Sequence, residues 1–297
     1  MKQRSIASIG AILLLTCFFW HPLAAQNNAV TANHHSLWKV QGQSNVVYLL
    51  GSIHVLKTED FPLPVPLETA FSNSPVAVFE TDIAEMGDPQ VQRKLMSQSL
   101  LPAGETLQQR LSAQTYAAFT NRVRETGLSL ERLQSMKPSM AALRLSLAEL
   151  SRMGFDAGNG VDRYFAARAL EQHKQIIGLE TADFHIDLLT SFPPEEDDLV
   201  MKISLKDMED VKSGKILAAW QTGDTAAMEK LLNQAMQEAP TIFKRLLTDR
   251  NKSWLPKIEE LLHGGKNAVV IVGAAHLVGD EGLVELLKKQ GLKVTQL

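Results

Sequence analysis

Two matching strand ends constrain the fold of this chain more than any other feature. The apolar run at residues 46–50 leads into Gly-Ser-Ile-His, and the run at residues 268–272 leads into Gly-Ala-Ala-His. Short, unbroken runs of β-branched and other apolar residues are typical of strands buried on both faces, as in a parallel or mixed sheet. A glycine lets the backbone turn after each strand. We therefore predict that His54 and His276 lie at the carboxyl ends of two buried strands, where open α/β sheets place their sites.

Two further apolar runs each end in a carboxylate. Residues 76–79 lead into Glu80, and residues 176–179 lead into Glu180. An acid that follows a buried strand is costly to desolvate unless it is paired, hydrogen-bonded or bound to a metal. Two imidazoles with one or two carboxylates suit zinc, manganese or a similar divalent ion and leave a coordination position for water. The four strand ends thus predict a polar rim that could hold a metal.

A structural alternative exists for each of these residues. A lone histidine at a strand end is more often a hydrogen-bonded structural residue, and a strand-end glutamate commonly caps a helix or pairs with an arginine. Arg250 and Arg163 are candidate partners of this kind. From the residues alone, a metal site and a structural polar cluster both remain open.

The pattern along the chain predicts an α/β fold, with a central mixed or parallel sheet and helical insertions that cap the strand ends. A fifth strand is expected at residues 292–296, and helical blocks at about 100–172 and 199–263, the latter interrupted at Pro240 and Pro256. Residues 195–198 read as an exposed acidic turn. We expect a single domain over residues 26–297 in which the helical blocks wall a pocket above the rim. The alternative is that these helices pack on the sheet faces, as in any layered domain.

The first 25 residues have the pattern of a secretory signal peptide: a short basic start, an apolar run and then small residues. We predict cleavage after Ala25 and a secreted or periplasmic protein, because the apolar run is too short to favour a stable membrane span. Cys17, the only cysteine, lies in this segment, so the mature chain would lack disulfides and thiolate ligands. A lipoprotein acylated at Cys17 is the alternative, which Thr16 disfavours.

Composition and missing motifs argue against several classes of function. The formal net charge is −3, and no dense basic run is present, which makes nucleic acid a poor candidate partner. The sequence contains no phosphate-binding P-loop, no dinucleotide-binding glycine motif and no G-x-S-x-G elbow. A nucleotide cofactor and a serine nucleophile are therefore not expected.

The segments around the strand ends resemble the TraB/GumN family, which is related to the Tiki metalloproteases. The resemblance implies an α/β core built around two GxxH motifs and an acid, here His54, His276 and Glu80, and divalent-metal-dependent hydrolysis as in the animal relatives. In one departure, His185 stands where family members often carry glutamine, and its role is left open. The matching segments follow the family order over nearly the whole mature chain: residues 38, 47–54, 78–82, 160–162, 178–181, 220–224, 250–254 and 272–279.

Together, the residues and the resemblance predict a divalent metal ion, with zinc, manganese or cobalt as candidates, bound by His54, His276 and Glu80. Glu180 is expected as a fourth ligand or as a base. The residues expected to orient these ligands or to hold the substrate are Asp162, Arg250, Asn251 and His185.

The predicted reaction is hydrolysis of a peptide or a small acyl substrate by metal-activated water, with Glu80 or Glu180 handling the proton. The alternative is a non-catalytic exported protein that binds a peptide or an iron-containing cofactor at the same rim.

Overall fold

A computed structural model describes residues 34–297 of the chain. The predicted signal peptide and Cys17 lie outside these residues. Within the described part of the chain, no helix is long and apolar enough to cross a membrane.

A six-stranded sheet forms the centre of the molecule, in the order β4-β3-β5-β2-β1-β6. Strands β2, β3, β4 and β5 run parallel, whereas β1 is antiparallel to both β2 and β6. The predicted α/β class with a central mixed or parallel sheet is confirmed, and the sheet is mixed and mostly parallel. The strands are β1 (Leu37–Gln41), β2 (Val46–Ser52), β3 (Val76–Thr81), β4 (Gln175–Glu180), β5 (Ala268–Gly273) and β6 (Val294–Gln296).

The burial of the strands follows their places in the sheet. Every residue of the central strands β3 and β5 is buried, which explains their unbroken apolar sequences. Only Leu179 is buried in β4, which lies at one edge. In the register, Ser52 pairs with Gly273 and Thr81 pairs with Glu180. The carboxyl ends of all four parallel strands therefore meet at one edge of the sheet.

Helices fill the segments between the strands, as the helical spacing predicts. Short 3₁₀ turns add to them, including one at Ala274–His276, and a π-helical turn covers Lys244–Thr248. The helices are α1 (Val65–Ser72), α2 (Ile83–Met86), α3 (Pro89–Gln98), α4 (Leu107–Arg110), α5 (Ala113–Thr126), α6 (Leu130–Gln134), α7 (Pro138–Arg152), α8 (Val161–Glu171), α9 (Ala182–Thr190), α10 (Asp197–Lys212), α11 (Lys215–Gln221), α12 (Thr225–Glu238), α13 (Pro240–Phe243), α14 (Asp249–His263) and α15 (Leu283–Lys289).

The helices from α4 to α7 pack into a hydrophobic cluster of their own, which includes the buried residues Phe119 and Leu143. Leu189 of α9 and Met201 of α10 belong to the same cluster. Part of the first helical block therefore has its own apolar core, joined to the elements that follow β4. In the second block, α14 contacts the strand ends.

Two local expectations were wrong. Pro256 lies inside α14 and does not interrupt it; its side is exposed to solvent, where water can bond the carbonyl that its missing N–H leaves free. The exposed acidic turn predicted at residues 195–198 is wrong in its second half: Glu195 and Glu196 lie in a 3₁₀ turn, but α10 begins at Asp197. The Asp197 side chain is only 8% exposed and lies 3.2 Å from Nη1 of Arg110.

Candidate functional site at the strand ends

The four predicted strand-end residues lie at the same edge of the sheet. His54 follows β2, Glu80 lies near the end of β3, Glu180 ends β4, and His276 lies in the 3₁₀ turn after β5. His276 is completely buried and Glu80 is 8% exposed. The backbone N–H of Gly273 donates to Oε1 of Glu80 at 2.7 Å. The backbone of the glycine at the end of β5 thus forms a hydrogen bond with the carboxylate of the neighbouring strand β3.

Arg250 of α14 contacts three of these residues, Glu80, Glu180 and His276. Its Nε and Nη2 donate to the two oxygens of Glu180 at 2.5 and 2.9 Å, and Nη2 also donates to Oε2 of Glu80 at 2.6 Å. Its Nη1 lies 3.1 Å from Nε2 of His276. The guanidinium is 1% exposed and its central carbon lies 4.6 Å from the centre of the Trp254 ring. Arg250 is therefore the arginine that pairs with both strand-end glutamates.

The π-helical turn before α14 helps to place this arginine. Nη1 of Arg250 donates to the carbonyl oxygen of Leu246, which belongs to that turn, at 3.0 Å. A π turn inserts an extra residue into a helix, and such turns are frequent at functional sites. The Arg250 side chain thus forms a hydrogen bond with a carbonyl in the segment that leads into α14. No pattern in the sequence predicted this turn.

Both histidines have an oxygen behind Nδ1. Nδ1 of His276 lies 2.6 Å from Oδ1 of Asn251, whose amide nitrogen donates to the carbonyls of His276 and Glu281 at 3.3 and 2.8 Å. The amide oxygen only accepts, so Nδ1 of His276 carries the hydrogen and Nε2 bears the lone pair. Nδ1 of His54 lies 3.0 Å from Oδ1 of Asp162. Proteins commonly orient metal-binding histidines in this way.

A close backbone approach brings Asp162 to His54. The N–H of Val161 donates to the carbonyl of Ile53 at 2.9 Å. Gly160 precedes it, and a Cβ at that position would lie 2.6 Å from the carbonyl oxygen of His54. Glycine is therefore required where α8 begins, so that its first turn can present Asp162 to the imidazole.

The environment sets different charges on the three predicted ligands. Burial raises the pKa of Glu80, but Arg250, the two histidines and the Gly273 N–H outweigh it and hold that pKa well below its usual range. Burial, and then the charge of Arg250, lowers the pKa of His276 to about 3. Burial lowers the pKa of His54, but Asp162 raises it to a net value above 6.5. At neutral pH, Glu80 is therefore ionised and His276 is neutral.

These residues fit a divalent ion by their chemistry. Nε2 of His54 is buried without a hydrogen-bond partner among the described residues, Nε2 of His276 carries a lone pair, and Glu80 is a carboxylate. As they are placed, no group of three or more His, Cys, Asp or Glu among the side chains that the structure describes could hold a metal ion. Arg250 accounts for part of this, because its guanidinium bonds Glu80 and His276 Nε2 directly. Metal binding through Nε2 of His276 requires Arg250 to give up that contact.

Glu180 has no free acceptor position. Oε1 accepts from Nε of Arg250 and, at 3.1 Å, from Nε1 of Trp254. Oε2 accepts from Nη2 of Arg250 and lies 3.4 Å from Nδ1 of His185. A carboxylate has about four lone-pair sites, and all are used here. These contacts do not support the expectation that Glu180 is a metal ligand or acts directly as a base.

Two buried tryptophans form hydrogen bonds near the strand ends that the sequence did not predict. Trp254 donates to Glu180, and Nε1 of Trp220 donates to the carbonyl of Gly51 at 2.7 Å. Both indoles are buried, and a buried indole N–H normally requires a partner. This requirement could have predicted from the sequence that each buried indole has a hydrogen-bond partner, although it does not identify the acceptor.

Comparison with protein families gives one match that spans the described fold. The sequence model of the TraB/PrgY/gumN family matches residues 36–296. The match includes all six strands and every residue of the site.

Individual relatives are distant. The chain is 26% identical to the uncharacterized protein YbaP of Escherichia coli K12 over 253 residues, which are 81% of this chain and 87% of that protein. It is 22% identical to a metalloprotease TIKI homolog of Nematostella vectensis and 22% identical to metalloprotease TIKI1 of Danio rerio. These matches cover 87% and 92% of this chain and 66% and 65% of the two animal proteins. No solved structure matches the chain.

Proposed function

Because the chain belongs to the TraB/PrgY/gumN family, we propose that it is an exported, divalent-metal-dependent hydrolase of peptide or related acyl bonds. Two distant relatives carry the name metalloprotease, which supports a metal and a hydrolytic reaction. The proposal of export rests on the signal-peptide pattern of the first 25 residues.

The unpartnered Nε2 of His54 carries the proposal. A buried imidazole nitrogen without a partner is costly unless a ligand satisfies it, and the opposite nitrogen lies 3.0 Å from Oδ1 of Asp162. The proposed ligands are His54, His276 and Glu80. A bound divalent ion supplies Lewis acidity, which polarises a carbonyl group and lowers the pKa of water.

The surrounding residues have defined tasks in this proposal. Asn251 fixes the tautomer of His276, so that its Nε2 presents a lone pair. Arg250 pairs with both Glu80 and Glu180, offsets part of their negative charge and holds the two carboxylates in place. Since these groups are almost fully buried, water is excluded and the electrostatic interactions among them are stronger than in solution.

Metal analysis tests the ligand set. The purified protein is stripped, reconstituted with zinc, manganese or cobalt, and compared with a His54→Ala/His276→Ala variant. The control is His34→Ala/His263→Ala, since both of these histidines are exposed. We expect stoichiometric metal in the wild type and the control, and negligible metal in the His54/His276 variant. Equal, negligible metal in all three proteins would refute the proposed site.

A cleavage screen tests the reaction. The metal-loaded protein is incubated with a peptide library, and new amino termini are detected by mass spectrometry. Glu80→Gln should abolish turnover while leaving much of the affinity for the peptide. Activity that survives in Glu80→Gln would contradict the proposed role of this carboxylate.

One observation favours a second candidate, a non-catalytic protein that binds a peptide or an iron-containing cofactor. Arg250 already bonds both buried carboxylates, so part of their charge is offset by a residue of the chain rather than by a metal. Silence across the screen, together with tight stoichiometric ligand binding, would favour this candidate.

A further inference from the structure

His185 is a third histidine of the site and has no assigned task. It lies in the first turns of α9, directly after β4, where the Thr181 side chain caps the helix by accepting from the N–H of Phe184 at 3.2 Å. It is 2% exposed. It lies against Glu180, which Arg250 bonds together with Glu80, so it belongs to the same polar cluster.

The two ring nitrogens of His185 have different surroundings. Nδ1 faces Oε2 of Glu180 at 3.4 Å, whereas Nε2 is buried and has no hydrogen-bond partner within residues 34–297. Since the ionised carboxylate only accepts, Nδ1 carries the hydrogen in the neutral ring and Nε2 carries the lone pair. A carboxylate behind an imidazole whose other nitrogen is free is the arrangement of a general base.

The other candidates for a proton acceptor are already engaged. Glu180 accepts at all of its lone-pair sites, as described above. Glu80 accepts from Arg250 and Gly273, and with His54 and His276 it forms the proposed ligand set. Ser52 also has a buried, unpartnered Oγ, but a neutral hydroxyl is not basic enough to take a proton from water. His185 Nε2 is the basic, unpartnered atom that remains.

We propose that in this chain His185, oriented by Glu180, is the general base and then the general acid of the hydrolysis, an inference that rests on the proposed function and does not extend to family members with glutamine at this position. Water attacks the acyl carbon and forms a C–O bond while its proton passes to Nε2 of His185. The same proton then passes from Nε2 to the leaving amine nitrogen as the C–N bond breaks. The ring returns to its neutral form, and the products are a carboxylic acid and an amine.

Two isosteric variants separate this role from simpler ones. His185→Asn keeps a polar group near the position of Nδ1, so it can still contact Glu180 but lacks Nε2. His185→Gln reaches the position of Nε2 with an amide, which can form a hydrogen bond but cannot carry a proton. With the peptide found in the cleavage screen, we expect both variants to lose kcat by about 100-fold or more, with KM and metal content near those of the wild type.

The control is His263→Gln, because His263 is exposed on α14, and it should retain wild-type kcat. Full activity in His185→Asn would show that His185 only positions Glu180, and full activity in His185→Gln would show that it only forms a hydrogen bond. Either result overturns the inference and leaves the proposed function intact. If the wild-type protein itself cleaves no peptide, both the inference and the proposed function are overturned, and this outcome differs from the previous two because the wild type is inactive.

A measurement on the unmutated protein covers the case in which the variants do not fold. A peptide phosphonamidate mimics the tetrahedral adduct, and its complex with wild-type protein labelled with ¹⁵N at histidine is observed by NMR. Protonation of His185 Nε2 in the complex supports the inference. A neutral His185 in a saturated complex overturns it.

Discussion

Replacement of Arg250 by methionine removes the cation that compensates two buried carboxylates. The side chains of Glu80 and Glu180 are 9% and 4% exposed, and that of Arg250 is 1% exposed. Removal of one partner of such a buried group typically costs about 3–5 kcal/mol, because the remaining charge is left uncompensated. We expect Arg250→Met to lower the free energy of unfolding by about that amount at pH 7.

The pH dependence of this loss follows from Glu80. In the wild type its pKa is held low; without Arg250, burial dominates and the folded-state pKa lies above the unfolded value. The folded variant then binds a proton that the unfolded chain releases, so its stability falls as pH rises above about 4.5, by up to about 1.4 kcal/mol per pH unit. The loss relative to the wild type should therefore be smaller at pH 5 than at pH 7.

Urea unfolding of the metal-free protein, followed by tryptophan fluorescence, measures both quantities. Arg124→Met is the matched control, because Arg124 is exposed and its side chain donates a surface hydrogen bond to Asn121; its effect should stay within about 0.5 kcal/mol. The triple variant Arg250→Met/Glu80→Gln/Glu180→Gln should recover most of the loss, since no buried charge remains. A loss below about 1 kcal/mol at pH 7, or one that does not change at pH 5, would refute this reasoning.

Three further predictions use other parts of the site. The buried His276 has a pKa lowered to about 3, so the unfolded chain binds a proton that the folded one does not, and wild-type stability is lost as pH falls from about 6.5 towards 3. His276→Gln should therefore flatten the plot of urea-derived stability against pH in that window. An unchanged slope would contradict the assignment. Trp220→Phe leaves the carbonyl of Gly51 without its indole donor and should cost about 1–3 kcal/mol in the same assay, whereas a loss near zero would mean that water replaces the indole. Gly160→Ala forces a Cβ to within 2.6 Å of the carbonyl oxygen of His54 and should lower both the melting temperature and the metal affinity. Gly265→Ala is the control, because Gly265 has open space around it, and it should change neither. Equal behaviour of the two variants would show that the backbone at Gly160 can shift without loss of stability or metal binding.

The parts of the fold that local sequence patterns specify were predictable. Unbroken β-branched runs identify β3 and β5 because both of their faces are buried, and parallel strands bring their carboxyl ends to one edge. The order of strands was not predictable, because β5 pairs with β2 and β3 through contacts between residues far apart in the sequence. No local pattern encodes that choice.

The site divides in a similar way. His54, Glu80, Glu180 and His276 follow from their positions after buried strands. Arg250 and Asn251 lie in a helix with no distinctive pattern, and the resemblance to the family was what indicated them. The saturation of Glu180 depends on one arginine, one indole and one imidazole meeting in space, which sequence reasoning could not anticipate.

The place of β5 in the sheet has a consequence for how the protein is made. Within residues 34–297, β5 alone joins the pair β4-β3 to the group β2-β1-β6, and it comes from residues 268–273. The backbone of Val46 bonds the side chain of Asn267 across a sequence separation of 221 residues. The two halves of the sheet therefore cannot pair until nearly the whole chain has been synthesised. Formation of contacts between residues so far apart in the sequence is slow. A nascent chain consequently gains its site in one late event, and shorter amino-terminal fragments would hold His54 and Glu80 on strands that have nothing between them.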